Sequence, residues 1–231
     1  MALDIKTIPP VIIKEGTYGD VEITKNGSIY FLKHSNIAWN QYHEKNMREY
    51  HEQWSGYDLA YGDVLISGFG FGQFATWVAS KPEVTSVTCL EISQDIINAF
   101  LVNNTMPNNI EVIIGDASQY KTDKHYDCII LDHIADGPQA ESFYQDLATI
   151  TKNVPNHNVF WFWSLELHYI KDLYNISYKQ MYVFPVDFKP YNFYDNWEKF
   201  ADLLNVPAFP KLNKKILTEY INSFFLRHLI Q

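Results

Sequence analysis

The feature that most constrains this fold is a rhythm of short apolar runs alternating with stretches of helical period between residues 64 and 163. Residues 64–67, 86–91, 110–114, 128–132 and 158–163 read as buried strands. Helical periodicity falls near 73–80, 94–104 and 139–151. Strands alternating with crossover helices make a parallel sheet that binds ligands beyond the strands' carboxyl ends. The expectation is an α/β fold with a Rossmann-like, mostly parallel sheet and helices on both faces. Upstream, two β-rich runs at 20–24 and 28–32 flank Lys25-Asn26-Gly27, a strong hairpin signal. The predicted organisation is a small N-terminal β hairpin module and linker helix over 1–56. A Rossmann-like domain follows over 57–231 and ends in a helical, aromatic-rich tail, with a strand or two between 178 and 188 and an aromatic stretch around 191–197.

Composition excludes several classes. With 47% hydrophobic and 19% charged residues the 231-residue chain can bury a core, so it is not disordered. Twenty-seven acidic against eighteen basic side chains give a net charge of −9, which repels a phosphate backbone and argues against nucleic acid as a partner. The longest central apolar run, 159–163, is far short of the roughly 20 residues that span a bilayer, so no membrane helix is expected. Asp4, Pro9 and Pro10 interrupt the start where a secretory signal needs an apolar stretch, so a cytoplasmic location is expected. Cys89 and Cys128 each lie in a predicted strand with no second cysteine nearby and read as buried reduced thiols. No spacing of His, Cys and carboxylates resembles a zinc site, and Gly-x-Ser-x-Gly is absent.

Chemistry concentrates at the predicted strand ends. The first strand runs into Gly68-Phe69-Gly70-Phe71-Gly72, and a helical pattern opens at Gln73. Glycines at alternate positions let the chain turn tightly and approach a ligand closely. The second strand ends in Glu91, where a carboxylate can accept hydrogen bonds from both hydroxyls of a ribose. The third ends in Gly115-Asp116-Ala117, where an acid can accept from an adenine amino group, and the fourth in Asp132-His133. Four consecutive strands thus each bring a glycine loop or an acid to one edge, which reads as a nucleoside crevice. A dinucleotide fingerprint needs Gly-x-Gly-x-x-Gly, but here the third glycine comes one residue early, so a nucleoside without phosphate such as an adenosyl-sulfonium fits better. His133 and His43 could titrate near neutrality and serve as bases.

The stretch 64–144 resembles the class I S-adenosylmethionine-dependent methyltransferases and, within them, the spermidine synthase branch. Thr17-Tyr18-Gly19-Asp20 with its hairpin is similar to the branch's N-terminal β domain, and Tyr42-His43-Glu44 to its element before the nucleotide domain. Tyr126-Asp127-Cys128-Ile129-Ile130-Leu131-Asp132, then Gly137-Pro138-Gln139-Ala140-Glu141-Ser142, resembles the strand ending in the catalytic Asp and the Gly-Pro-Ala-Glu-Ser gate. Glu166-Leu167-His168 is a weaker echo. The resemblance implies S-adenosylmethionine, or its decarboxylated form, as cofactor. It gives Gly68, Gly70 and Gly72 to the sulfonium side, Glu91 to the ribose, Asp116 and Ala117 to the adenine, and Pro138 and Ala140 to a wall of the base pocket. Asp132, with His133 beside it, would be the acceptor-side acid, and Tyr42, His43 and Asp136 would shape the acceptor pocket. It also implies a homodimer.

Two departures shift the expected reaction. The branch's loop runs Gly-Gly-Gly-Asp-Gly-Gly and its Asp contacts the aminopropyl amine, whereas Phe71 stands there in this chain. Burying an ammonium against a phenyl ring without an acid is costly. The second acid of the Asp-Ser-Ser-Asp motif is displaced too, since Asp136 follows Asp132 by four positions instead of three. The expectation is therefore methyl transfer to a small nitrogen-containing acceptor. Aminopropyl transfer making a polyamine is the runner-up, and a non-catalytic nucleoside-binding protein the alternative from another class.

Overall fold

The computed structural model describes residues 8–35, 37–43, 53, 56–133 and 149–162, with backbone alone for 37–41 and 43. The chain divides into two compact units, 1–163 and 164–231, and the described residues all belong to the first. The predicted features at 178–188 and 191–197 and the C-terminal helices lie outside the described residues. So do Trp163, Glu166, Leu167, His168, Asp136, Pro138 and Ala140.

Four strands, β1 (Gly16–Tyr18), β2 (Val21–Asn26), β3 (Ile29–His34) and β4 (Ile37–His43), form an antiparallel meander in sequence order. The predicted hairpin is its centre, with Asn26 paired to Ile29 across a turn in which Gly27 adopts φ +61°. The predicted hairpin thus stands, extended by one strand on either side into a four-stranded sheet. Two strands escape a reading by pattern: β1 has three residues, and a register shift at Leu32/Lys33 breaks the pairing of β3 with β4. Val21, Ile23 and Leu32 are buried on one face, Ile23 directly opposite Leu32.

Five parallel strands follow: β5 (Gly62–Ser67), β6 (Val84–Glu91), β7 (Ile110–Ile114), β8 (Tyr126–Leu131) and β9 (His157–Phe162). Their order is β7-β6-β5-β8-β9, and every pairing is parallel. The chain moves outward from β5 to β7 and then returns to the other side of β5, so the topological switch point lies between β5 and β8. Val64, Leu65, Ile66, Ile129, Ile130 and Leu131 are fully buried, because helices or loops cover both faces of a parallel sheet. That burial is why these strands read as continuous apolar runs.

Helix α1 (Gln73–Ala79) links β5 to β6 and is buried along its whole length, with Trp77 stacked on Tyr57 at 4.1 Å between ring centroids. Helix α2 (Gln94–Leu101) buries Ile96, Ile97, Ala99 and Phe100, one stripe at helical spacing. Residues 53, 56–59 and 149–153 are also helical. With right-handed crossovers, α1 and α2 cover one face and residues 149–153 the other. The N-terminal sheet is tied to α2 at Asp95, whose Oδ2 accepts from the backbone N–H of Asp20 at 3.0 Å. Gly19, at φ +61°, lies directly against that carboxylate, leaving no room for a side chain.

Cys89 and Cys128 are buried and free. Burial pushes both thiols up, Cys128 to about 12, so neither is a nucleophile near neutral pH. Among the described residues no helix is long and apolar enough to cross a membrane.

Candidate functional site

Four parallel strands release the chain at one edge, and the loops that follow enclose a cleft. It is an open cleft, with about 980 Å³ of empty space when counted out into the solvent at its mouth. Gly68, Gly70, Glu91, Asp116, Ala117, Asp132 and His133 all line it. Residues separated by up to 65 positions in the chain thus meet in one place, across the switch point where open α/β sheets bind ligands.

The glycine loop is shaped by backbone requirements. Gly68, Gly70 and Gly72 have φ of +89°, +53° and +79°. A Cβ on Gly68 would stand 2.8 Å from the Asp132 carbonyl oxygen, so the missing side chain lets β5 and β8 end side by side. Gly72 does not line the cleft; its N–H donates to the Phe69 carbonyl at 2.8 Å, and a Cβ there would meet the rings of Phe69 and Phe100 at 2.7 Å. Its part is to let the loop close over α2.

Glu91 is 4% exposed, and both its carboxylate oxygens are engaged: Oε2 accepts from Phe69 N–H at 2.8 Å and Oε1 from Ser93 N–H at 3.0 Å. The end of β6 therefore braces the glycine loop of β5. A carboxylate has about four lone-pair sites, so each oxygen keeps capacity for a ligand hydroxyl. Asp116 is exposed and uses Oδ1 to accept from Ser118 N–H at 2.8 Å, capping the short 3-10 turn Ala117–Gln119.

At β8, the backbone N–H of Asp132 donates to the Ser67 carbonyl at 2.9 Å, and Asp132 Oδ2 accepts from Gln53 Nε2 at 2.7 Å. His133 Nδ1 is hydrogen-bonded to Ser67 Oγ, a hydroxyl with no solvent exposure. The carboxylate and the imidazole are each held by a polar side chain from another element, which fixes their orientation in the cleft.

Several lining residues were not anticipated from the sequence. Gln53 stands 79 positions before Asp132, and no local pattern connects them. Ile92, 62% exposed, offers an apolar surface in the cleft beside Glu91. Leu32 and His34 bring the end of β3 to the same cleft. Gln73, at the start of α1, is 7% exposed, and its Nε2 has no hydrogen-bond partner among the described residues. Phe71 lines the cleft at 4% exposure.

Tyr42 lies on β4 opposite Tyr30, its ring stacked there at 6.4 Å between centroids, and does not line the cleft. The His43 backbone pairs with Ile29, and its side chain lies outside the described residues, as do Asp136, Pro138 and Ala140. Among the described residues no group of three or more His, Cys, Asp or Glu side chains could hold a metal ion.

No protein-family model matches the chain, and no curated protein matches it in sequence. Its structure is similar to that of a spermidine synthase from Thermotoga maritima, at 19% identity over 58% of this chain and 50% of that one, with a TM-score of 0.43. It is also similar to a probable spermidine synthase from Corynebacterium glutamicum, at 13% identity over 63% and 61% of the two chains and a TM-score of 0.41. The N-methyltransferase NodS from Bradyrhizobium japonicum matches at 19% identity over 46% and 61%, with a TM-score of 0.38. The chain spans only half to three-fifths of the length of these structures.

Proposed function

We propose that the chain is an S-adenosylmethionine-dependent methyltransferase acting on a small nitrogen-containing acceptor. The observation that carries this reading is the convergence of the glycine loop, Glu91, Asp116 and Asp132 on one cleft at the ends of four adjacent strands. Ile92, Ala117 and Asp116 would hold the adenine, with Asp116 able to accept from its amino group, Glu91 would accept from the ribose hydroxyls, and the glycine loop would take the sulfonium side of the donor.

Asp132 and His133 face the acceptor. The lone pair of the acceptor nitrogen attacks the methyl carbon in line with the carbon–sulfur bond. That bond breaks with its electron pair passing to sulfur, which leaves as the neutral thioether of S-adenosylhomocysteine. The nitrogen gives up its proton to Asp132 or His133. The chain's contribution is chiefly alignment of nucleophile, methyl carbon and leaving sulfur, with a base held in place by Gln53 or Ser67. Phe71 and Phe74 give this part of the cleft apolar walls.

Incubating the pure protein with S-adenosylmethionine and a panel of amines, followed by mass spectrometry, tests the reading. S-adenosylhomocysteine together with a product heavier by one methylene supports it. Methylthioadenosine formed from decarboxylated S-adenosylmethionine, with an aminopropylated amine, assigns the other transfer instead, and binding without product assigns a nucleoside-binding protein.

A further inference from the structure

We infer that Ser67 is a positioning residue that fixes His133 as the neutral tautomer carrying its hydrogen on Nε2, which makes His133 a hydrogen-bond donor in the cleft and not a base. The tautomer stands on the geometry alone, and the use made of it rests on the proposed methyl transfer. Ser67 ends β5, is fully buried and does not line the cleft, whereas His133 follows β8 and does. The hydrogen bond between Ser67 Oγ and His133 Nδ1 joins them.

Which atom donates follows from counting hydrogens. A hydroxyl carries one, and burying it without an acceptor is costly. Among the described residues Nδ1 is the only hydrogen-bond partner of Ser67 Oγ. Carbonyls at this strand end are engaged, that of Ser67 by the Asp132 N–H at 2.9 Å and that of Leu90 by the Gly68 N–H at 2.8 Å. The hydroxyl hydrogen therefore goes to Nδ1, which presents its lone pair and carries no hydrogen. A neutral imidazole with Nδ1 bare has its hydrogen on Nε2. The reverse arrangement, with Nδ1–H donating to the hydroxyl oxygen, strands the hydroxyl hydrogen where no solvent reaches. A doubly protonated ring strands it in the same way, even with the carboxylates of Glu91 and Asp132 lining the same cleft. An Nε2–H complements a lone pair and cannot take the hydrogen that an attacking amine gives up. In the proposed reaction that proton then passes to Asp132, which Gln53 holds.

Two-bond proton–nitrogen correlation spectra of the isotope-labelled full chain, without any ligand and at mildly alkaline pH, read the tautomer of each histidine ring. The signals missing from His133→Gln identify His133. The wild type should show His133 in a single form with hydrogen on Nε2 alone, and a slowly exchanging hydroxyl proton with a nuclear Overhauser contact to that ring. Ser67→Ala should remove the hydroxyl proton and move the ring nitrogens to the intermediate shifts of a tautomer mixture. A wild-type ring with hydrogen on Nδ1 or on both nitrogens overturns the inference, as does a Ser67→Ala ring unchanged from wild type. Turnover tests the donor role by rescue. The amide of His133→Gln still donates and the phenyl of His133→Phe does not, so with S-adenosylmethionine and an accepted amine the first should turn over at least about tenfold faster than the second. Equal rates overturn the donor role, because neither side chain replaces a base. A wild type that turns over no amine overturns the methyl-transfer reading, while the spectra still decide the tautomer.

Discussion

Replacing Glu91 by Ala tests how the cleft is built. The buried carboxylate accepts Phe69 N–H at 2.8 Å and Ser93 N–H at 3.0 Å. Each hydrogen bond to a charged group contributes about 1.5–3 kcal/mol, so losing both would cost roughly 3–6 kcal/mol if nothing replaced them. The cavity left by the side chain borders the cleft, and water can reach it to satisfy part of the loss. That brings the expected destabilisation to about 3 kcal/mol. For a unit of this size each kcal/mol moves Tm by roughly 2–4 °C, so the variant should melt about 6–12 °C earlier. Glu91→Gln should cost less, because the amide oxygen still accepts one N–H while its nitrogen faces the other. Differential scanning calorimetry of the three proteins without ligand reads the effect. A Glu91→Ala protein melting within a degree of wild type would refute the claim that the end of β6 holds the glycine loop of β5.

Gly68→Ala should destabilise by about 2 kcal/mol or more, since φ is +89° and the new Cβ would press on the Asp132 carbonyl oxygen at 2.8 Å. Urea unfolding measures it, and an unchanged midpoint would contradict the close approach of β5 and β8. His157 is half-buried, with Nδ1–H donating to the Val154 carbonyl at 2.8 Å and Nε2 enclosed without a partner among the described residues. Burial first, and the nearby His125 in addition, hold its pKa below 6.5. The unfolded chain then binds the proton more readily, so the stabilising contribution is complete above pH 6.5 and is lost as pH falls from there through the lower folded pKa. Melting scans between pH 5 and 8 should show a slope that His157→Gln reduces; an identical slope in the variant would dismiss His157 as its source. Gln53→Leu should lower kcat for the proposed methyl transfer by about tenfold by removing the hydrogen bond to Asp132 Oδ2, with little change in S-adenosylmethionine affinity, and an equal loss of both would mean Gln53 merely supports the fold.

Much of the fold was legible because parallel strands carry their signal locally. Strands β5, β6 and β8 are buried on both faces, so their apolar runs stood out, and each of β5 to β9 begins or ends within about two residues of its predicted span. The cleft was legible through its strand-end residues, Gly68, Gly70, Glu91, Asp116, Asp132 and His133, because the fold class dictates where strands end and ligands bind. What escaped was long-range or irregular. Gln53 reaches Asp132 from 79 positions away, and β4 joins its sheet through a shifted register. Glu91 illustrates the remaining gap: position marked it as a ligand group, and only coordinates revealed that it also braces the loop.

The central claim is that this cleft accepts an adenosine bearing sulfur, and Ile92 permits a direct measurement. At 62% exposure it lines the cleft without belonging to the core, so Ile92→Glu should leave Tm nearly unchanged while placing a charge where adenine would lie. Calorimetric titration with S-adenosylhomocysteine should give one site per chain in the wild type and affinity at least about 30-fold weaker in the variant, from roughly 2 kcal/mol of lost contact and desolvation. No binding by the wild type, or equal binding by both proteins, would contradict it.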